Sequence, residues 1–239
     1  MSGRIENART AFTEIFDKDL WGLGRLPPHT EFLKHFACVV QKTVRQHNVT
    51  SVVDFGCGHW SYAALVDWSG VTYDGYDVVP GAAERNANLH GSSTVNFHPW
   101  TEETELPAAD MLICKDVLQH LPVDDVHHYL AMFKRQFPYI LIINDILPDD
   151  NLNGDIAPGG HRSLRLDLPP FNEQSETVDD YDFIAFGVDY RKRASLLRGT
   201  RPVQTAIVSR SSNPDEKNKI SRVVSKLISV IRGLSFHGR

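Results

Sequence analysis

The stretch Ser51–Trp60 reads SVVDFGCGHW, and it decides the fold of this 239-residue chain. Its β-branched start predicts a short buried strand that ends near Asp54. Gly56 and Gly58 follow at once and predict a tight turn, because glycine adopts positive φ easily and lets the backbone approach a ligand. A glycine-rich turn directly after a strand is typical of the cofactor site of a doubly wound α/β sheet.

The next predicted strand, Val71–Val79 (VTYDGYDVV), ends in an acid where a nucleotide cofactor needs one. Asp77 stands 21 residues after Gly56, at the position where a carboxylate meets ribose hydroxyls. A dinucleotide site would want a third glycine against the pyrophosphate, but residues 59–61 are His, Trp and Ser. Asp54, at the mouth of the turn, is unfavourable beside a pyrophosphate and favourable beside a sulfonium and an amino group. The pattern therefore favours S-adenosylmethionine over NAD.

At these residues the chain resembles the class I S-adenosylmethionine-dependent methyltransferases. The run DFGCG, residues 54–58, is similar to their first motif, and Asp77 is similar to the acid that closes their second strand. The resemblance extends from about Thr50 to about Arg210 and lacks only the third glycine of the motif. The cofactor-binding residues that it implies are Asp54, Phe55, Gly56, Cys57, Gly58, Trp60, Asp77, Val78 and Lys115.

The rest of the pattern alternates strands with helices, as in a parallel sheet with crossover helices. The predicted strands are residues 51–55, 72–77, 94–98, 111–114 and 139–144. The predicted helices are residues 8–20, 30–46, 62–68, 81–88 and 124–136. Two later strands, residues 183–188 and 205–209, would form a hairpin. We expect a Rossmann-like, doubly wound α/β sheet, mostly parallel, with an antiparallel edge hairpin and a C-terminal amphipathic helix.

Three segments make up the expected domain organisation. Residues 1–30 are an N-terminal lead, whose loop WGLGRLPP is a hypothetical lid, and residues 31–210 are the methyltransferase domain. Residues 211–239 carry six basic and two acidic residues between apolar positions at helical spacing. Such a basic amphipathic helix lies on an anionic membrane surface, docks on a partner protein, or packs on its own domain.

Composition narrows the class of protein further. The net charge of −5 gives no reason to expect a nucleic-acid partner. Cys38, Cys57 and Cys114 lack metal-like spacing, which favours free thiols in a reducing compartment. The N-terminus lacks the apolar core of a signal peptide, and no apolar run approaches the roughly 20 residues of a membrane span. We expect a cytoplasmic protein, with peripheral contact at the inner face of the membrane if the tail binds lipid.

A first candidate for the reaction chemistry is KDVLQHLP, residues 115–122, after the fourth strand. Asp116 and His120 are four residues apart and would share one face of a helical turn. Asp116 could then orient the imidazole and His120 could accept a proton. The alternative is that Asp116 caps the next helix and His120 packs against the sheet.

A second candidate follows the fifth strand, at Asn144 and Asp145. Neighbouring parallel strands would bring them close to Asp116, and two carboxylates with an amide oxygen suit Mg²⁺. Some small-molecule O-methyltransferases of the resembled fold hold a divalent metal with two Asp and one Asn at similar strand ends, in the reverse local order. The alternative is that these residues only shape turns.

A third candidate is the loop GGHRSLRLDLPPF, residues 159–171. His161, Arg162 and Arg165 would supply donors for hydroxyl, carboxylate or phosphate groups, or the loop is simply solvated. The general base for a hydroxyl acceptor is then His120, His161 or Asp145.

The motifs together also resemble a subfamily of bacterial methyltransferases that often act on saccharides or glycoconjugates. The resemblance implies an S-adenosylmethionine-dependent O-methyltransferase, with a sugar hydroxyl as acceptor and Mg²⁺ as an optional addition. Two alternatives stay open. One is a small-molecule methyltransferase of a natural-product pathway, and the other is a non-catalytic methyltransferase-like binding module recruited by its tail.

Overall fold

A computed structural model describes residues 3–20, 30–147, 150–185 and 187–202, and a seven-stranded sheet forms its centre. The strands are β1 (Ser51–Phe55), β2 (Thr72–Asp77), β3 (Val95–Pro99), β4 (Met111–Lys115), β5 (Tyr139–Asp145), β6 (Glu176–Ala185) and β7 (Val188–Arg198). Their spatial order is β3-β2-β1-β4-β5-β7-β6. Strands β1 to β5 are parallel, and β7 runs antiparallel to both of its neighbours. The predicted fold, a mostly parallel sheet with an antiparallel edge hairpin, is confirmed.

Four α-helices accompany the sheet in the described residues. They are α1 (Arg4–Asp17), α2 (Glu31–Gln46), α3 (Pro80–His90) and α4 (Val123–Gln136). The apolar stripe of α2, which includes Phe36 and Val40, packs on one face of the sheet. The corresponding stripe of α4, which includes Leu130 and Phe133, packs on the other face. Both faces are therefore covered, which explains why β5 is continuously apolar at its centre.

The helix predicted at residues 62–68 is wrong, because this segment forms only a 3-10 turn, Ala63–Leu65. In a helix, the carbonyl of Ala63 would accept the N–H of Asp67, but here each of these groups hydrogen-bonds to a side chain instead. The indole of Trp68 donates to the carbonyl of Ala63 at 2.9 Å, and the N–H of Asp67 donates to the Gln41 side chain at 2.7 Å. A seven-residue segment gains too little from its own helical hydrogen bonds to compete with these partners.

The edge hairpin exists, but its predicted boundaries are wrong. Residues 183–188 span the end of β6, the turn and the start of β7, instead of forming one strand. Charged residues hide the period-two pattern of both strands, since Asp180 faces Arg193 across the ladder and forms an ion pair at 2.7 Å. The second predicted strand, the loop at residues 21–28 and the tail at residues 211–239 lie outside the described residues.

The carboxyl ends of β1, β2, β4 and β5 meet at one edge of the sheet, where ligands bind in open α/β folds. Helix α1 reaches the same region, since Phe12 packs against the core on the α4 side. Within the described part of the chain, no helix is long and apolar enough to cross a membrane.

Candidate functional site

A cleft of about 1080 Å³ opens at the carboxyl ends of the parallel strands. Side chains of α1, α2 and the β6–β7 hairpin form its apolar walls, including Phe12, Phe16, Phe32, Phe183 and Tyr190. Its floor combines the glycine turn after β1 with the polar ends of β2, β4 and β5. One cleft therefore contains both the predicted cofactor turn and the predicted catalytic groups.

The glycine turn needs both of its glycines. Gly56 has φ 79°, and a Cβ there would lie 2.3 Å from Cγ2 of Val117. Gly58 has φ 50°, and no heavy atom of the described residues lies within 4 Å of where its Cβ would be. The backbone at Gly58 thus faces open space in the cleft, as a turn that cradles a cofactor should.

Asp77 holds this turn from the end of β2. Its Oδ2 accepts the N–H of Gly58 at 2.8 Å, and its Oδ1 accepts the N–H of Val79 at 2.9 Å. Burial raises the pKa of the Asp77 carboxyl, and the two backbone donors partly oppose that shift. Since a carboxylate has about four acceptor positions, two remain for hydroxyl donors.

Asn86 on α3 also positions the turn, and sequence analysis missed it. Its side chain is fully buried, and Nδ2 donates to the carbonyl of Gly58 at 2.8 Å. Gly58 is therefore held through both its N–H and its carbonyl. The only signal in the sequence is a polar residue one helix after the turn, which does not separate a buried asparagine from an exposed one.

The structure places most of the predicted cofactor residues on the cleft. The residues that line it are Phe55, Gly56, Cys57, Gly58, Trp60, Asp77, Val78 and Lys115. Trp60 has φ 57° and packs edge-on against Tyr73 and Phe97, so its ring also belongs to the core. His59 stacks on Phe16 of α1, with ring centroids 4.5 Å apart, so α1 covers the glycine turn.

Asp54 lies behind the turn, where we expected it at the mouth. It is 1% exposed and accepts the hydroxyls of Tyr73 at 2.6 Å and Tyr62 at 3.1 Å. Burial raises the pKa of the Asp54 carboxyl to about 6, although both tyrosine hydroxyls act to lower it. Asp54 is therefore held by two buried tyrosines, a partnership that the motif alone does not show.

Beside the turn, two lysines and two aspartates form an alternating chain of ion pairs. Lys115 pairs with Asp116, and Lys192 bridges Asp116 at 2.6 Å and Asp145 at 2.7 Å. The ammonium groups hold the pKa of Asp116 well below its usual range, although burial acts to raise it. Lys192 lies on β7 directly opposite Asp145, where no strand was predicted, so sequence analysis missed it.

His161 joins this chain at Asp145. Its Nε2 lies 3.1 Å from Oδ2 of Asp145, the same oxygen that accepts the Gln119 side chain at 2.8 Å. The Asp145 carboxylate is buried, which by itself would raise its pKa. The hydrogen bonds from His161 and Lys192 outweigh burial, so the pKa of Asp145 is lowered. About half of the His161 side chain is exposed, and it lines the cleft. His161 thus has the setting of an imidazole oriented by a carboxylate.

His120 also lines the cleft, with its ring 5.5 Å from that of His161. Its Nδ1 lies 2.7 Å from the carbonyl of Gly160, which only accepts, so Nδ1 carries the proton. Burial lowers the pKa of His120 to about 4, so the ring is neutral near pH 7. The hydrogen bonds of Asp116 go to the two lysines, and the carbonyl of Gly160 orients His120.

The arginines predicted for the third candidate have structural partners. Arg162 is fully buried, and its Nη1 donates to the carbonyls of Gln119 and Leu121. Arg165 forms a two-pronged ion pair with Asp167, at 2.6 and 2.8 Å. These bonds shape the loop that carries His161 into the cleft.

The fold of this chain is similar to that of several solved structures, although no protein-family model and no curated protein matches the sequence. Magnesium protoporphyrin IX methyltransferase (ChlM) from Synechocystis PCC 6803, with bound SAH, is similar in fold, with a TM-score of 0.55 and 14% identity over 79% of this chain and 99% of that chain. The N-terminal domain of EvdMO1, in the presence of SAH and D-fucose, is similar with a TM-score of 0.52 and 13% identity, over 71% of this chain and 84% of that chain. TehB from Haemophilus influenzae is similar with a TM-score of 0.50 and 13% identity, over 67% of this chain and 61% of that chain.

These likenesses cover between 67% and 79% of this chain. At 13–14% identity, the likenesses show that the backbones are arranged alike and nothing further. The chain shares the Rossmann-like α/β fold of ChlM, a methyltransferase.

Proposed function

We propose that this chain is an S-adenosylmethionine-dependent O-methyltransferase whose acceptor is a hydroxyl group of a small molecule or glycan, with a saccharide favoured. The observation that carries the proposal is the 3.1 Å contact between His161 and Asp145 in the same cleft as the Gly58–Asp77 turn. A carboxylate-oriented imidazole is suited to removing a hydroxyl proton. The glycine turn and its acid are suited to a nucleoside.

The residues present fit the cofactor. Open space beside Gly58 leaves room for a ligand against the backbone, and Asp77 keeps acceptor positions for ribose hydroxyls. Lys115 and Asp116, at the end of β4, line the cleft beside the turn and would border the methionine part. The bound cofactor supplies an electrophilic methyl group on a sulfonium. That ChlM of the same fold carries SAH or SAM in its structures supports this assignment.

The chain's own residues then have three tasks. His161 donates through Nε2 to Asp145, which leaves Nδ1 to accept the proton of the acceptor hydroxyl. Asp145 stabilises the imidazolium that forms, and Gln119 and Lys192 keep its carboxylate fixed. The apolar side chains of α1 and the hairpin exclude water, so that acceptor and methyl group meet in line.

A saccharide acceptor is supported by two observations. The EvdMO1 domain of similar fold was studied in the presence of D-fucose. Phe183 and Tyr190 stack on each other at the cleft, 5.2 Å between centroids, and aromatic side chains pack well against the C–H faces of sugars. The many apolar side chains of α1 favour instead the second candidate, a less polar natural product.

Calorimetric titration with S-adenosylmethionine and with its demethylated product tests the cofactor half. Micromolar binding of both is expected, whereas no binding of either would leave the non-catalytic module as the better account. Methyl transfer from a labelled cofactor to a panel of monosaccharides, glycans and phenolic natural products tests the acceptor half. Labelling of phenols but not of any sugar would overturn the saccharide assignment.

A further inference from the structure

The chain of ion pairs at the ends of β4, β5 and β7 has a cation at the point where a metal was expected. Nζ of Lys192 lies between Oδ1 of Asp116 and Oδ1 of Asp145, at 2.6 and 2.7 Å. We infer that Lys192 takes the place of a divalent cation between these two carboxylates and positions Asp145, so that the site needs no metal. The position of Lys192 between the two carboxylates does not depend on the proposed function. The deprotonation of an acceptor hydroxyl without a metal does rest on it.

Every carboxylate oxygen of the pair already accepts a hydrogen bond. On Asp116, Oδ1 accepts from Lys192 and Oδ2 accepts from Lys115. On Asp145, Oδ1 accepts from Lys192, and Oδ2 accepts from Gln119 and contacts His161. A metal would have to displace these donors, since Mg²⁺ requires about six oxygen ligands in octahedral geometry.

The balance of charge leads to the same conclusion. The ammonium groups of Lys115 and Lys192 match the two carboxylates, so the cluster is neutral when His161 is neutral. Lys192 and Asp145 are 6% and 4% exposed. Adding a divalent cation would leave two uncompensated positive charges in a largely buried place, which is strongly unfavourable.

Asn144, the third ligand of the expected magnesium set, does not join the two carboxylates. Successive side chains of a strand leave opposite faces of the sheet, so Asn144 and Asp145 diverge. Among the described residues, no group of three His, Cys, Asp or Glu side chains is arranged to hold a metal ion. The residues therefore do not fit Mg²⁺.

Strand register and backbone conformation show that the cluster is built into the fold. Lys192 stands directly opposite Asp145 in the antiparallel ladder of β5 and β7. Asp116 adopts φ 56°, an unfavourable conformation for a residue with a Cβ, and its N–H donates to the carbonyl of Ile143 at 2.9 Å. The two lysine contacts hold its carboxylate in that conformation, and through Lys192 they fix Asp145 beside His161.

Binding of Mn²⁺, followed by the electron paramagnetic resonance of the free ion, tests the placement without any activity. The wild-type protein and the control Lys134→Met, which removes a lysine paired with Glu173 away from the cleft, should not bind Mn²⁺ at micromolar concentrations. Lys192→Met frees Oδ1 of both Asp116 and Asp145 and should bind Mn²⁺ about tenfold more tightly or better than wild type. Micromolar binding by the wild-type protein that is lost in Asp145→Asn would overturn the inference.

Activity, once an acceptor is found, tests the positioning role. Methyl transfer by the wild-type protein should be unchanged by chelation; loss on chelation with recovery on adding Mg²⁺ would overturn the inference. Lys192→Met leaves Asp145 without its ammonium partner, so kcat should fall about tenfold while the KM for the cofactor stays near the wild-type value. Lys192→Arg keeps a positive charge between the two carboxylates and should restore most of kcat. If Lys192→Met does not fold, the chelation result and the wild-type Mn²⁺ titration still test the inference. Absence of any methyl transfer would count only against the proposed function.

Discussion

The carboxylate of Asp77 accepts the backbone N–H of Gly58 at 2.8 Å, so the acid at the end of β2 directly holds the turn after β1. Sequence analysis treated these residues as two separate parts of one cofactor site. The hydrogen bond shows that they form one unit, with Asn86 holding the carbonyl of the same glycine. Changes at Asp77 should therefore affect both the ligand and the turn.

Asp77→Ala should weaken S-adenosylmethionine binding by about 100-fold, because each hydrogen bond to a charged acceptor contributes about 1.5 kcal/mol or more. Isothermal titration calorimetry measures the change. Asp74→Ala is a matched control, since Asp74 lies on the same strand but leaves the opposite face and contacts His98 at 3.1 Å. Equal affinity of wild type and Asp77→Ala would place the ribose-binding acid elsewhere.

His161→Ala should lower kcat by about 10²-fold or more if the imidazole is the general base, with cofactor affinity unchanged. Its contact with Asp145 and its half-exposed side chain favour it over His120, whose pKa burial lowers to about 4. Arg165→Ala is the control, because it alters the same loop at a side chain paired with Asp167. A larger loss of kcat in His120→Ala than in His161→Ala would reverse the assignment.

The features that sequence predicted well are those with local signals. β1, β4 and β5 are short, largely apolar runs, and β2 ends in an acid, so the edge that carries the glycine turn, Asp77 and Asp145 could be placed. Neighbouring parallel strands then bring Asp116 and Asp145 together without further information. That the two carboxylates are neighbours does not predict that the ammonium group of Lys192 lies between them.

Lys192 shows why the remainder was not predictable. It lies in a run of three basic residues, Arg191 to Arg193, that reads as solvated, yet pairing with β5 buries Lys192 while Arg191 stays exposed. Asp54 shows the same limit, because its partners Tyr62 and Tyr73 come from two other segments. Both depend on long-range packing, which a pattern within one segment does not encode.

Stability should fall in mild acid because of His120. The pKa of the folded state is about 4, below the ordinary 6.5, since burial disfavours the charged ring. The unfolded chain therefore binds the proton first, and stability is lost as the pH falls from about 6.5 to about 4, by up to about 3 kcal/mol. Urea unfolding of His120→Gln should show a smaller loss over this range, and the exposed control His127→Gln should match wild type. Parallel pH curves for wild type and His120→Gln would contradict this origin.

Asp54→Asn should stabilise the protein at pH 8. Burial raises the folded-state pKa of Asp54 to about 6, so the folded state binds its proton more tightly than the unfolded chain does. Stability is therefore lost as the pH rises through about 6, by about 3 kcal/mol. The asparagine amide of the variant does not ionise and avoids this loss, and its oxygen can still accept both tyrosine hydroxyls. Urea unfolding at pH 5 and pH 8 measures it, with the exposed Glu31→Gln as control. A variant less stable than wild type at pH 8 would mean that the charge of Asp54 is needed by the turn.

Phe16→Ala should weaken cofactor binding about fivefold through faster dissociation, because it removes the ring that stacks on His59 beside the glycine turn. An aromatic pair of this kind contributes on the order of 1 kcal/mol beyond its buried area. Glu14→Ala, on the exposed side of the same helix and paired with Lys18, is the control for a general effect on α1. Stopped-flow dissociation of S-adenosylmethionine measures the change. If Phe16→Ala and Glu14→Ala release the cofactor at the wild-type rate, α1 only borders the acceptor end of the cleft and does not cover the turn when the cofactor is bound.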